Sequence, residues 1–222
     1  MPAILCFGDS NTWGYDPAAS ALSPFPQRHS APQRWTGVLA AELGAGWEVI
    51  PAGQNGRTTV FEDPHHPGRC GRVALPIFLE TSQPLDLVII MLGTNDLKTV
   101  FRAPPGEIAA GAAALVRLVR QSAAGPRGAP PQVLLVCPPT VASLEHLPAL
   151  AEKFEDAAAR SRRLPEHFRT VARQLDCAFL DAQPLVVPSP LDGLHFDPAS
   201  HRRLGEAMAQ AVRSLPLAAN PP

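Results

Sequence analysis

Leu85-Asp86-Leu87-Val88-Ile89-Ile90-Met91-Leu92-Gly93-Thr94-Asn95-Asp96 is the stretch on which the fold turns. Its apolar run is nearly continuous rather than alternating, the pattern of a parallel strand covered on both faces. It then stops on a glycine and three polar residues. Four other short runs read the same way: Ala3–Phe7, Trp47–Pro51, Gln132–Cys137 and Ala178–Leu180. Helical patterns separate them over Arg34–Leu43, Pro105–Gln121 and a long stretch from Leu150 to Leu175. A last helix opens at Asp197, a natural N-cap before Pro198, and repeats Leu204, Met208, Ala211 and Leu215 on one face. Strand and helix in alternation predict an α/β fold, a parallel sheet with helices on both sides. The 222 residues suit one core, so a single domain over 1–222 is expected.

In such sheets a ligand site lies beyond the carboxyl ends of the strands. The short polar, glycine-bearing clusters fall there. Gly8-Asp9-Ser10-Asn11-Thr12 follows the first strand and Ala52–Thr59 the second. Gly93-Thr94-Asn95-Asp96 follows the third, and Asp192-Gly193-Leu194-His195-Phe196 comes after the fifth. A nucleophilic serine needs an imidazole to take its proton and a carboxylate to fix the imidazole tautomer. Ser10 and His195 are the candidate pair. Asp192 stands three residues before His195, where one helical turn would bring its carboxylate to Nδ1. The Ser10 N–H, the Gly56 N–H and the Asn95 amide are candidate oxyanion donors. Among rival acids, Asp197 is better used as a helix cap and Asp181 as a loop tie. Asp9 and Asp96 read as acceptors of backbone N–H groups. Trp13 and Tyr15 are candidates for the pocket wall. His29, His146 and His167 read as structural, and the adjacent His65 and His66 as loop residues.

These blocks resemble the SGNH (GDSL-type) hydrolase superfamily: Gly-Asp-Ser-Asn, Asn-Gly-Arg-Thr-Thr, Gly-Thr-Asn-Asp and Asp-Gly-Leu-His stand in the family's order. Ile4–Gly14, Arg34-Trp35-Thr36-Gly37 and Asp86–Asp96 further resemble its bacterial arylesterase/acyltransferase branch. The resemblance implies a flavodoxin-like three-layer sandwich with strand order 2-1-3-4-5. It implies a triad of Ser10, His195 and Asp192, an oxyanion hole of Ser10, Gly56 and Asn95, and neither metal nor cofactor. Short-acyl esters, acetyl above all, are the implied substrates, with acyl transfer to an alcohol alongside hydrolysis. Asn11 departs from the family's leucine and alters the polarity expected of the pocket wall. An octamer is implied as well, with proline-stiffened insertions at Pro17–Gln33, Phe61–Pro76 and Pro138–Pro148 narrowing the entrance.

Composition narrows the alternatives. Charges of 19 basic and 20 acidic residues give a net −1, which argues against a nucleic-acid partner. Charged residues are only 18%, consistent with surface covered in a homo-oligomer. No apolar run reaches membrane-spanning length. Met1-Pro2-Ala3 leads directly into a strand without a signal-like leader, so a cytoplasmic chain is expected. Cys6, Cys70, Cys137 and Cys177 form no CxxC and read as free thiols. Deacetylation of sugars or natural products is the second reading of the same residues. A flavodoxin-like nucleotide- or flavin-binding module is disfavoured, because no GxGxxG or GxxxxGK[ST] follows any strand.

Overall fold

A computed structural model describes residues 1–217; of the domain expected over 1–222, residues 218–222 lie outside the described residues. The chain alternates as predicted. In order it runs β1 (Ala3–Gly8), α1 (Ser10–Trp13), α2 (Pro17–Ser20), α3 (Trp35–Leu43), β2 (Glu48–Gly53), α4 (Gly71–Ser82) and β3 (Leu87–Met91). It continues through α5 (Pro105–Gln121), β4 (Gln132–Cys137), α6 (Pro148–Lys153), α7 (Ala157–Ser161), α8 (Leu164–Gln174), β5 (Ala178–Asp181) and α9 (Pro198–Arg213). The five strands form one sheet in the order β2-β1-β3-β4-β5, and every pairing is parallel.

Side chains alternate across the strands and divide the core in two. Leu5, Phe7, Val88, Ile90, Val133 and Leu135 face α4, α5 and α8. Ile4, Cys6, Ile89, Met91, Leu134 and Val136 face α3 and α9. Three layers follow, helix on sheet on helix, because each strand must bury both faces. Only the central strands do so fully. β2 and β5 are edges, and their residues are mostly half-buried or exposed rather than covered on both sides as expected.

Two helical expectations are corrected. The segment Phe61–Pro76 is not an insertion loop throughout, since α4 begins at Gly71 and passes through Pro76. Proline normally breaks a helix by removing an N–H. Here Pro76 and Arg72, whose carbonyl loses that partner, are both exposed, while Leu75 and Leu79 are buried on the opposite face. The lost bond falls on the exposed side, and the burial of Leu75 and Leu79 holds the helix. The single helix expected over Leu150–Leu175 is three. Asp156 takes a left-handed conformation (φ 56°) between α6 and α7, and Pro165 opens α8, where a missing N–H costs nothing. The break turns Phe154 inward, where it is 5% exposed. The last helix begins as expected: the Asp197 carboxylate accepts from the Ser200 N–H at 2.7 Å. No helix of the described residues is long and apolar enough to cross a membrane. All four cysteines are free thiols.

Gly53 sets the distance between β2 and α1. A Cβ there would lie 2.0 Å from the Trp13 nitrogen and 2.5 Å from the Thr12 carbonyl carbon, both backbone atoms that cannot rotate away. Gly53→Ala is therefore expected to lower stability by about 1–3 kcal/mol and to shift the helix that carries Ser10. Gly46→Ala, with nothing within 4 Å of its Cβ, should stay within about 0.5 kcal/mol of the parent. Urea unfolding of the two variants checks this; equal midpoints would contradict it.

Candidate active site

The turn after β1 presents Ser10. The Asp9 carboxylate accepts from the Asn11 N–H at 2.9 Å, capping α1 and fixing Ser10 in its first turn. Gly14 closes that turn in a left-handed conformation, φ 91°. Ser10 is 8% exposed.

The loop after β5 brings His195 to it. His195 Nε2 lies 2.9 Å from Ser10 Oγ, and Nδ1 lies 2.6 Å from Asp192 Oδ2. Asp192 and His195 are joined by a turn, not by the helical turn expected from their spacing. The turn is built by the carboxylate itself, whose Oδ1 accepts from the Leu194 N–H at 3.0 Å and the His195 N–H at 2.9 Å. Burial pushes the Asp192 carboxyl up, but the hydrogen bond and charge of His195, with these two N–H groups, hold it below its ordinary value. The loop is pinned at both sides: the Ser189 N–H donates to the His195 carbonyl at 2.7 Å, and the Ala142 N–H to that of Gly193 at 2.9 Å. Tyr15 stacks on the imidazole with ring centroids 4.0 Å apart.

A cavity of about 400 Å³ opens over this array. Ser10, Asn11, Tyr15, Gly56, Asn95 and His195 all line it. Asp192 stands behind the imidazole, outside that lining. Gly56 takes a left-handed conformation, φ 81°, on the cavity lining. Asn11 anchors its amide Nδ2 on the Leu194 carbonyl at 3.1 Å, so it clips the serine turn to the histidine loop. Its Oδ1 has no partner among the described residues, and neither does that of Asn55, another lining residue.

The structure corrects one pocket residue. Trp13 does not line this cavity; its ring instead carries the Arg28 guanidinium at 5.1 Å. Side chains that the sequence did not flag do line it, among them Leu150, Lys153 and Phe154. They lie far from the motif blocks, and the fold's topology alone delivers them. Asp181 accepts from the Gln183 N–H at 3.0 Å, a loop tie as expected. His29 and His146 each contact a main-chain carbonyl, of Phe196 and of Pro190.

Two buried acids lie under the site. Desolvation pushes Asp9 up to about 6, against the Asn11 N–H and the charges of His195 and Arg57. Desolvation likewise pushes Asp96 up to about 6, opposed by its bonds to Thr59 and reinforced by the charge of Asp9. Asp96 accepts from the Thr59 N–H at 3.0 Å and from its hydroxyl, tying the block after β3 to the block after β2.

A hydroxyl, an imidazole and a carboxylate in this line can move the hydroxyl proton onto the imidazole while the carboxylate stabilises the resulting charge. Such an array suits the cleavage of an ester, and the comparisons show an ester hydrolase. Residues 6–203 match the model of the GDSL-like lipase/acylhydrolase family, and the chain belongs to that family. It is a carboxylic ester hydrolase of the SGNH type. The native aryl esterase of M. smegmatis is 43% identical, with a TM-score of 0.91, covering 97% of this chain and 100% of that one. Est24, a carbohydrate acetylesterase from Sinorhizobium meliloti, is 38% identical with a TM-score of 0.91, covering 96% and 99%. A member of the lipolytic G-D-S-L family from Veillonella parvula, 14% identical with a TM-score of 0.70, shares the fold. No curated protein matches the sequence.

The raised Asp96 predicts a pH dependence of stability. A carboxyl whose folded pKa (about 6) exceeds its ordinary 3.8 binds more protons in the folded state between those values. Its favourable contribution is complete below the lower value and is lost as pH rises through the upper one. The stability advantage of the parent over Asp96→Asn should therefore shrink between about pH 4 and pH 6. Urea titrations across that range measure it; a difference that grows with pH would contradict the assignment.

Proposed function

We propose that the protein is a serine esterase that releases short acyl groups, acetyl above all, through an acyl-enzyme on Ser10. The observation that carries this is the continuous line from Asp192 Oδ2 through both imidazole nitrogens to Ser10 Oγ, at 2.6 and 2.9 Å. His195 takes the Ser10 proton as Oγ attacks the acyl carbon. Asp192 accepts from Nδ1–H and stabilises the imidazolium. The Ser10 and Gly56 N–H groups and the Asn95 amide hold the oxyanion. His195 then protonates the leaving alkoxide. Water, activated by the same imidazole, attacks the acyl-enzyme and frees Ser10; an alcohol in its place gives acyl transfer. The likeness to an aryl esterase over nearly the whole chain supports the substrate class.

Deacetylation of carbohydrates is a second reading, favoured by the likeness to a carbohydrate acetylesterase over nearly the whole chain. The reading extends to one domain acting in the cytoplasm as a homo-oligomer, an octamer by family resemblance. Four free thiols and the exposed apolar side chains of Leu22, Phe25 and Leu191 support it. Light scattering reads the assembly: a mass of one 23.6 kDa chain would oppose it.

Hydrolysis of p-nitrophenyl acetate tests the mechanism. Asn95→Ala should lower kcat by about 10²–10³-fold with little change in KM. Asp192→Asn should lower kcat by about 10⁴-fold, because an amide favours the wrong imidazole tautomer. Asp181→Asn should keep most activity. The reverse ranking of the two aspartates would show that the acid is misassigned.

A further inference from the structure

The loops after β2 and β3, with helix α6, bring four basic side chains to the cavity that holds Ser10. They are His66, Arg69, Lys98 and Lys153, and among the described residues no carboxylate lines the same cavity. Two acids, Asp63 and Glu152, line an adjoining cavity that shares His66, Lys98 and Lys153. Asp63 is already engaged. Its Oδ2 lies 2.8 Å from Lys98 Nζ, and its Oδ1 lies 3.5 Å from His66 Nδ1. Burial raises the Asp63 carboxyl, yet the Lys98 ammonium and the His65 N–H pull it down to about 2, so it stays ionised. Arg69 and Lys153 have no acidic partner within salt-bridge distance among the described residues. Desolvation and the neighbouring Lys98 push the Lys153 ammonium below its ordinary value, and Asp63 offsets only part of this.

Such a wall has more positive charge than its own acids neutralise. A cleft lined by one sign of charge focuses the field and concentrates ligands of the opposite sign. Arg69 offers a planar fork and Lys153 a compact ammonium, both of which pair strongly with oxyanions. A neutral ester makes no use of them.

We propose that this basic wall is a subsite for an oxyanion carried by the ester itself, so that the preferred substrates are short-acyl esters bearing a carboxylate, phosphate or sulfate. This rests on the esterase reading above. The chemistry is unchanged: the ester C–O bond breaks, water supplies hydroxyl to the acyl carbon, and the alcohol leaves with a proton. The anionic group stays intact on whichever half carries it.

Matched pairs of esters test the subsite. Sodium para-acetoxybenzoate against its methyl ester places the charge on the alcohol half. Mono-p-nitrophenyl glutarate against p-nitrophenyl butyrate places it on the acyl half. The expected kcat/KM ratio of anionic to neutral ester is about tenfold or more in at least one pair at low salt, and it falls as salt screens the wall. In Lys153→Gln and Arg69→Gln the ratio should drop at least about fivefold. Neutral esters turned over with a ratio at or below one in both pairs would overturn the subsite and leave the esterase standing. A high ratio that neither substitution lowers would do the same. No turnover of any of the four esters would overturn the esterase reading, and the subsite with it.

Discussion

The guanidinium of Arg57 is the contact around which the site is arranged. It is 2% exposed and donates to the Gly8 carbonyl at 2.7 Å and to the Ala52 carbonyl. These are main-chain groups in the last two residue pairs of the β1–β2 ladder, at the carboxyl ends of both strands. The Gly8 carbonyl also accepts from the Gln54 N–H at 3.1 Å, so the guanidinium adds a charged donor to a carbonyl that the loop after β2 already holds. Arg57 also lies over the Phe7 ring at 4.3 Å, so it closes the core as well as the sheet end. Desolvation lowers it to about 10, still charged at neutral pH. Its neighbours in sequence extend the brace. Gly56 lies beside it on the cavity wall, and Thr59 is held by Asp96 from the block after β3. One buried cation and one buried carboxylate thus tie three strand ends into a rigid floor.

On that floor the proposed catalytic groups need little further help. Ser10 is fixed by a cap on its own short helix, and Gly53 lets that helix approach the edge of the sheet. His195 hangs from a loop shaped by the Asp192 carboxylate, which spends one oxygen on the backbone and the other on the imidazole. The same group therefore sets both the loop and the tautomer. Asn11 adds a direct link between the two segments, 183 residues apart in the chain. The amide that replaces the family's leucine is thus a structural clip as well as a polar wall.

Much of this was legible in the sequence, for a physical reason. Strands buried on both faces leave continuous apolar runs, and the residues just past their ends must be the polar ones. Ser10, Gly56 and Asn95 were found in this way, and the family resemblance supplied the strand order. Helix α4 was not legible, because Pro76 signals a break that only the burial of Leu75 and Leu79 overrides. The split of α6, α7 and α8 depends on the left-handed Asp156, for which the residue type gives little warning. The basic wall was the least visible feature. His66, Arg69, Lys98 and Lys153 form no motif and meet only because successive loops leave the same end of the sheet. Trp13, adjacent to the serine turn in sequence, points elsewhere for the same reason: proximity along the chain does not determine which face of a short helix meets the cavity.

The central claim is that the Ser10 hydroxyl is the atom that attacks the substrate. Reaction with a serine-directed fluorophosphonate, followed by peptide mass mapping, tests it without knowledge of the natural ester. One adduct per chain is expected, on the peptide carrying Ser10, formed in step with loss of activity and slowed in Asp192→Asn. An adduct on another serine, or full activity in the protein labelled at Ser10, would contradict it.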